Sequence, residues 1–392
     1  MKLDNSVYII GGGPAGLTSS IILSKYFKSI HLYEATDKFG GCWRTDIIDN
    51  LYTEHSPQVI GGNFDTLFSF LSSISDFNKK QFLVKVYSVL LMIKYMIKSF
   101  AILDSIKLTS HFLLSIFLRD KYKDISVKDF LKDNNFSEDF IFKIRRVCMA
   151  AQSDLQLMSI EQLFVLIDEI YFDNNIYHIN KDKLIDIYRN AIDSQKNINI
   201  YLSHKLVGID DRKNLLISDK YGKQNLIYTK MNDIVILAVE PKSLLRILHN
   251  SDSIIKENWV VKGYEKEFKN EYSKLINWCN RSSMGSIGLQ FHFKNKLEIP
   301  KEWCWSCNGD WVVISTVISD FEPELVKKTG YQTIISSCLI DFNLKSNYLN
   351  KTVNECDIDE IQEEVWRQIS LPLITLNGFV VPDRVSITKG LY

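Results

Sequence analysis

Val7-Tyr8-Ile9-Ile10-Gly11-Gly12-Gly13-Pro14-Ala15-Gly16 is the stretch that decides the fold. A four-residue apolar run close to Met1 reads as a buried strand, and Leu17 to Leu23 behind it reads as an apolar helix. Between them lies a G-x-G-x-x-G loop. Gly11 permits the tight turn, Gly13 lets a pyrophosphate approach the backbone, and Gly16 lets helix and strand pack closely. Pro14 and Ala15 open the helix, whose N-terminus offers unpaired N–H groups and a partial positive charge to phosphates. Ser29-Ile30-His31-Leu32-Tyr33-Glu34 then supplies a second strand ending in an acid. That acid stands about 20 residues on, where a ribose hydroxyl needs a carboxylate acceptor. The pattern predicts a bound dinucleotide.

Glu34-Ala35-Thr36-Asp37-Lys38-Phe39-Gly40-Gly41-Cys42-Trp43-Arg44-Thr45 follows the second strand directly. A nicotinamide dehydrogenase has no need of a second glycine pair there. The run resembles the extended flavin fingerprint of the FAD-dependent amine oxidase and phytoene desaturase superfamily. The resemblance implies FAD as cofactor, with Gly40 and Gly41 passing close to the diphosphate and ribityl chain. It also implies Arg44 as a charge-assisted phosphate contact. In many amine oxidases that arginine follows the glycine pair immediately, where this chain has Cys42.

Composition sets outer limits. Forty-seven basic and 47 acidic residues leave no net charge over 392 residues, so bulk electrostatics give no case for nucleic acid. The chain enters its first strand within a few residues, which leaves no room for a signal peptide. Seven scattered cysteines suit a reducing, cytoplasmic compartment.

Further along, residues 82–118 read as apolar and helical, interrupted by Lys85, Lys94, Lys98 and Lys107. No uncharged run there approaches the length of a membrane span. Two readings stand: cap helices over a substrate cavity, or an interfacial helix in peripheral contact with a membrane. Helices continue over 124–169, with Ser137 as an N-terminal cap. Asp182 to Ser194 reads as a helix, and 198–202, 205–209, 214–218, 226–229 and 233–238 as strands. In the resembling family Val207 would place its backbone near the adenine, and Asp233 to Pro241 matches a family strand. The expected architecture is α/β: a discontinuous Rossmann-like FAD-binding domain over 1–78 and 176–248. An α+β substrate or cap domain over 79–175 and 249–380 would be inserted in it, with 381–392 an incomplete return to the FAD domain. Ser286 to Phe293 and Trp311 to Ser315 alternate as strands that could wall a cavity.

Candidate chemical groups are few. Cys304 and Cys307 form a lone C-x-x-C with no further ligands for zinc, and no metal is expected. Thr53-Glu54-His55-Ser56-Pro57-Gln58 resembles the family segment beneath the flavin ring, which makes His55 a candidate toward cofactor or substrate. Aligning Phe293 with the family's phenylalanine puts Gly288 where amine oxidases carry a lysine, and no lysine occurs between Lys274 and Lys294. Gln290 and His292 share the face of Gly288 by alternation and are the other two catalytic candidates. The family closes with a Gly-Asp element that reaches the flavin; after Gly378 only a few residues run to Tyr392. The leading expectation is an FAD-dependent oxidoreductase that removes a hydride from an amine or activated C–H of an apolar small molecule. The alternative is a truncated or degenerate member that binds FAD weakly or not at all.

Overall fold

The computed structural model describes residues 2–56, 59–61, 64–78, 83–88, 102–150, 153–171, 175–251, 276, 286–300 and 309–390. In chain order the first part comprises β1 (Leu3–Ile10), α1 (Pro14–Leu23), β2 (Phe27–Tyr33), β3 (Asp46–Ile48), β4 (Leu51–Thr53), β5 (Val59–Gly61) and α2 (Asp65–Ile74). A middle part follows: β6 (Leu83–Ser88), α3 (Ile102–Phe117), α4 (Val127–Asp133), α5 (Glu138–Ala150), α6 (Ile160–Tyr171) and β7 (Asn175–Ile179). Next come α7 (Lys181–Asp193), β8 (Ile198–Tyr201), β9 (Lys205–Ile209), β10 (Leu215–Ser218), β11 (Gln224–Ile227), β12 (Ile234–Leu237) and α8 (Pro241–His249). The last part is β13 (Ser286–Phe293), β14 (Val313–Val317), α9 (Ile318–Phe321), α10 (Pro323–Thr329), β15 (Thr333–Leu339), α11 (Ile358–Asn377) and β16 (Arg384–Gly390).

The first sheet is parallel, in the order β12-β1-β2-β8. Both faces of β1 are buried, as a parallel sheet covered on two sides requires. Val7 and Ile9 meet Leu17 and Ile21 of α1 and Leu184 and Tyr188 of α7. Tyr8 and Ile10 face the antiparallel meander β11-β10-β9 and Ile247 of α8. On that second face Tyr8 stacks on His31 at 4.9 Å and Tyr33 on Tyr201 at 4.5 Å. Burial lowers the pKa of His31.

The second sheet, β14-β15-β13-β16, is antiparallel. Period-2 alternation divides β13 cleanly. Ile287, Leu289, Phe291 and Phe293 pack under Val365, Ile369 and Leu373 of α11. Gly288, Gln290 and His292 take the opposite face, against the backbone of residues 52–55. The helices between β6 and β7 have their own aromatic core around Phe130, Phe140 and Phe164, and Arg145 of α5 joins them to the second sheet through the buried carboxylate of Asp341 at 2.8 Å.

Two expectations are corrected. Residues 82–118 are not helical throughout: Leu83–Ser88 is a strand paired antiparallel with β7. Its order Leu-Val-Lys-Val-Tyr-Ser alternates and is rich in residues suited to a pleat, so pairing overrides the helical reading. The helix is confined to Ile102–Phe117, and residues 89–101 lie outside the described ones. Residues 384–390 do not begin a return to the parallel sheet but pair with β13 in the second one, from Ser286↔Gly390 to His292↔Arg384. Ser137 does cap α5, its hydroxyl accepting from the Phe140 N–H at 3.3 Å.

A Cβ on Gly288 would overlap the Glu54 carbonyl oxygen and stand 2.8 Å from the His55 carbonyl group. Neither atom can yield without moving backbone. Gly288→Ala is expected to destabilise the fold by about 1–3 kcal/mol, read as a drop in the denaturant midpoint; an unchanged midpoint would refute this packing.

Candidate functional site

The carboxyl end of β1 is where the chain's connections switch from one side of the parallel sheet to the other, the place at which open α/β sheets take their ligands. Gly11 turns there with φ +110°, donating its N–H to the Tyr33 carbonyl at 2.8 Å. A Cβ on Gly16 would overlap the Gly11 carbonyl oxygen, so only glycine lets α1 abut the loop. Gly13 is the N-cap of α1 with no side-chain cap, and Pro14 follows at the first helical position. The first-turn N–H groups at the positive end of α1 are therefore left without a side-chain cap, and Ala15 there is exposed.

The second glycine pair closes against the first. Gly40 and Gly41 have φ of +127° and +52°, and the Gly40 N–H bonds the Gly12 carbonyl at 3.0 Å. A Cβ on Gly41 would come 2.9 Å from the Gly13 Cα. Two backbones thus touch, and no side chain enters this contact. Glu34 stands at its edge, accepting from the Gly12 N–H at 2.6 Å and from the Thr36 N–H and hydroxyl at 2.8 Å each. The chain after β8 crosses the same edge, with Ser203 N–H on the Thr36 carbonyl and His204 N–H on the Glu34 carbonyl. Val207 follows, half-buried in β9. Arg44 is paired with Asp46 at 3.0 Å and Asp37 at 3.6 Å, all beside the glycine pair. Partial burial works to raise the Asp46 pKa, yet hydrogen bonds from Lys38 and Arg44 hold it below the usual value.

The other three sequence candidates cluster behind β4. His292 Nε2 accepts the Tyr52 N–H at 3.0 Å, which fixes the neutral tautomer with its proton on Nδ1. Gln290 donates to the Glu54 carbonyl at 2.8 Å and accepts the Glu54 N–H at 3.3 Å. Ser386 of β16 donates to the Tyr52 carbonyl at 2.7 Å. Gln290 and His292 are thus engaged in holding the 52–54 backbone. His55 lies in the turn they hold. Burial, and then the Lys181 cation, lower its pKa to about 4, and burial lowers that of His292 to about 4.

Lys181 is the group that the sequence reading missed. At the start of α7 its side chain is 1% exposed and its ammonium is paired with the fully buried Glu54 carboxylate. The same nitrogen donates to the Ser56 carbonyl at 3.0 Å. Nothing local distinguishes Lys181 from the exposed Lys183, because its partner is 127 residues away. Burial, with the neighbouring Glu54 and Glu322 carboxylates, pushes the Tyr52 phenol well above its ordinary pKa. Next to it His178 Nε2 and Glu322 form a buried pair at 2.6 Å. Thr45 bonds Asp182 at 2.6 Å, so the glycine-pair loop and the Lys181 end of α7 are directly linked. Among the described residues no group of side chains could hold a metal ion. Cys304 and Cys307 lie outside them.

Residues 9–74 match the model of the NAD(P)-binding Rossmann-like domain. The strand–helix–strand order β1-α1-β2 of this segment agrees with that match. Solved structures agree along nearly the whole chain. A protein assigned as a protoporphyrinogen oxidase from Exiguobacterium sp. 255-15 is 12% identical, with TM-score 0.60 over 99% of this chain and 87% of its own. Reduced UDP-galactopyranose mutase is 14% identical, with TM-score 0.57 over 98% and 83%. Putrescine oxidase bound to putrescine is 12% identical, with TM-score 0.56 over 99% and 85%. A comparison with curated proteins returned no match. The Rossmann-like domain and its companion sheet bear out, at the level of fold, the resemblance read from residues 7–45.

Two outcomes follow from the buried groups. Lys181→Met leaves the Glu54 carboxylate buried without its cation, and should cost about 3–5 kcal/mol of folding stability by urea titration. Combining it with Glu54→Leu should recover much of that loss; strict additivity would dismiss the coupling. The histidines give a pH dependence. Their folded values near 4 lie below the ordinary 6.5, so between those limits the unfolded chain binds more protons. Stability should fall as pH drops through that window, by up to about 1.4 kcal/mol per unit for each histidine. His292→Gln should flatten the slope, as urea titrations at several pH values would show.

Proposed function

We propose that the protein is an FAD-dependent oxidoreductase that removes a hydride from an amine or an activated C–H bond of a largely apolar small molecule. The observation that carries this reading is the contact of Gly41 with Gly13 beside the Glu34 carboxylate. A single glycine loop suffices for many dinucleotides; a second one closing on it suits a diphosphate that runs on into a ribityl chain. The donor set fits such a group, because uncapped backbone N–H groups at the end of a helix dipole stand beside Gly41, which has no room for a Cβ. The similar structures include putrescine oxidase with putrescine, in work on its cofactor binding, and this supports the substrate class.

In this reading α1 holds the diphosphate, and Glu34 accepts the hydroxyls of the adenosine ribose, with Val207 beside the adenine. Arg44, held chiefly by the less exposed Asp46 at 3.0 Å, places its guanidinium beside Gly40 and Gly41. Bound FAD supplies a ring that accepts a hydride from a C–H bond. The turn at 54–56, held by Lys181 and Gln290, would supply the protein surface beneath such a ring. His55 on that turn, neutral at pH 7, is suited to accept a hydrogen bond, while its lowered pKa makes it a weak base. The division into an FAD domain (1–78 and 176–248) and a substrate domain (79–175 and 249–380) belongs to the same proposal.

A second reading is a protein that keeps the nucleotide site without turnover. It is favoured by one observation: Gln290 and His292 are already bonded to backbone and are not available to substrate.

Titrating the purified chain with FAD, followed by dialysis and a visible spectrum, tests the binding. Glu34→Ala removes charge-assisted bonds and should weaken retention about ten- to hundredfold, while exposed Asp37→Ala should change it little. Equal retention in Glu34→Ala and the parent would sink the assignment. Anaerobic bleaching of the flavin band by a panel of alkyl amines separates the two readings, since the non-catalytic one predicts none.

A further inference from the structure

Five titratable side chains are buried together beside the 54–56 turn. Tyr52 and Glu54 come from β4 and the residue after it, His178 from β7, Lys181 from α7, and Glu322 from the junction of α9 and α10. None is more than 6% exposed. Four of them form two pairs, Lys181 with Glu54 and His178 Nε2 with Glu322. Tyr52 belongs to neither pair and neighbours both. Burial raises its phenol pKa most, and the Glu54 and Glu322 carboxylates raise it further. Its ring is anchored by packing with Ile318, Leu325 and Ile334.

The hydrogen bonds of this cluster do not close. Glu54 Oε2 takes the Lys181 ammonium, which also serves the Ser56 carbonyl, but Glu54 Oε1 has no donor. The Tyr52 hydroxyl and His178 Nδ1 have no partner either. A buried carboxylate oxygen without a donor keeps the cost of its desolvation, and buried polar atoms of native proteins are almost always paired, with protein or with ordered water. The three atoms are complementary to one such water. The Tyr52 hydroxyl can donate, and the Glu54 oxygen can only accept. Neutral His178, donating from Nε2 to Glu322, presents Nδ1 as an acceptor. A water accepts from a hydroxyl and donates twice, and buried waters make about three hydrogen bonds. An apolar void would stay dry, whereas a carboxylate, a phenol and an imidazole supply the polar partners that hold water inside a protein.

We propose that Tyr52 and Glu54 bind an ordered internal water, with His178 as its third partner, and that this water joins the two buried pairs into one network. The network then runs from the Ser56 carbonyl through Lys181, Glu54 and the water to His178 and Glu322. It ties the 54–56 turn to the junction of α9 and α10, which no direct side-chain bond of Glu54 reaches among the described residues. The site is separate from the glycine loops, so it stands or falls apart from the proposed reaction.

Oxygen-17 magnetic relaxation dispersion on the purified full chain counts internal waters of long residence. Tyr52→Phe should hold one fewer than the parent. The same substitution should lower the folding equilibrium constant roughly three- to tenfold, because a satisfied buried hydroxyl is removed and its partner is left behind. An orphaned hydroxyl predicts the reverse. A Tyr52→Phe chain as stable as the parent or more so would overturn the proposal, as would an equal count of internal waters in the two. A crystal structure of the parent chain separates bound water from a Tyr52 hydroxyl that turns directly onto Glu54. A water peak about 2.5–3.0 Å from both Tyr52 Oη and Glu54 Oε1 supports the site, and direct contact of those two oxygens refutes it.

Discussion

The segment from Tyr52 to Ser56 is bonded on both sides, and the rest of the molecule is arranged around that fact. On one side β13 and β16 hold its backbone through His292, Gln290 and Ser386, across a position where Gly288 offers no side chain. On the other, Lys181 from α7 pairs with Glu54 and reaches the Ser56 carbonyl. Taking a lysine and a glutamate wholly out of water costs several kcal/mol per ion before their attraction is counted, so such a pair is poor evidence of net stability. Its consequence is geometric. An unpaired partner would be so costly that alternative positions of this segment are strongly disfavoured, and the first sheet, α7 and the second sheet are tied at one point.

That constraint also joins the two halves of the candidate site. The glycine loops belong to the parallel sheet, and Thr45, at the end of the second loop, bonds Asp182 next to Lys181. The distance between the paired glycine loops and the 54–56 turn is therefore set by a short run of covalent and hydrogen-bonded links. His55 rides on this turn in a partly dry, positively biased environment, which is why it is neutral well below pH 7. Those two circumstances, burial and a nearby fixed cation, act on protonation without any partner residue in sequence proximity.

The sequence was legible where the physics is local. The loop from Gly11 to Gly16 needs a positive φ at one glycine and a missing Cβ at another, and both requirements are written in adjacent residues. The strands at 198–201, 205–209 and 234–237 were legible for a similar reason, since short apolar runs bounded by turn residues carry their own signal. Leu83–Ser88 was misread as helix because its neighbours are apolar and its strand character depends on pairing with β7, almost a hundred residues on. Gln290 and His292 were correctly placed on one face of a strand, yet what that face meets could not be read from β13 alone. Lys181 carried no signal at all, because a buried lysine differs from an exposed one only through its partner.

Two kinds of information are thus stored differently in this chain. On the proposed function, affinity for a dinucleotide would reside in backbone geometry, where Gly11, Gly16 and Gly41 leave no room for a side chain. The side chains from β4, α7, β13 and β16 that surround the 52–56 segment are positioned instead by contacts over more than a hundred residues. Proteins at 12–14% identity can therefore share the whole fold while differing in every group that faces a substrate. Here the residues under the 54–56 turn are occupied with holding it, so specificity must be sought in what the turn itself displays and in the surface opposite. A substitution in the glycine loops would act on cofactor retention. One among the clamp residues would act on stability and geometry together, and only the combination of both readouts tells a displaced turn from an empty cleft.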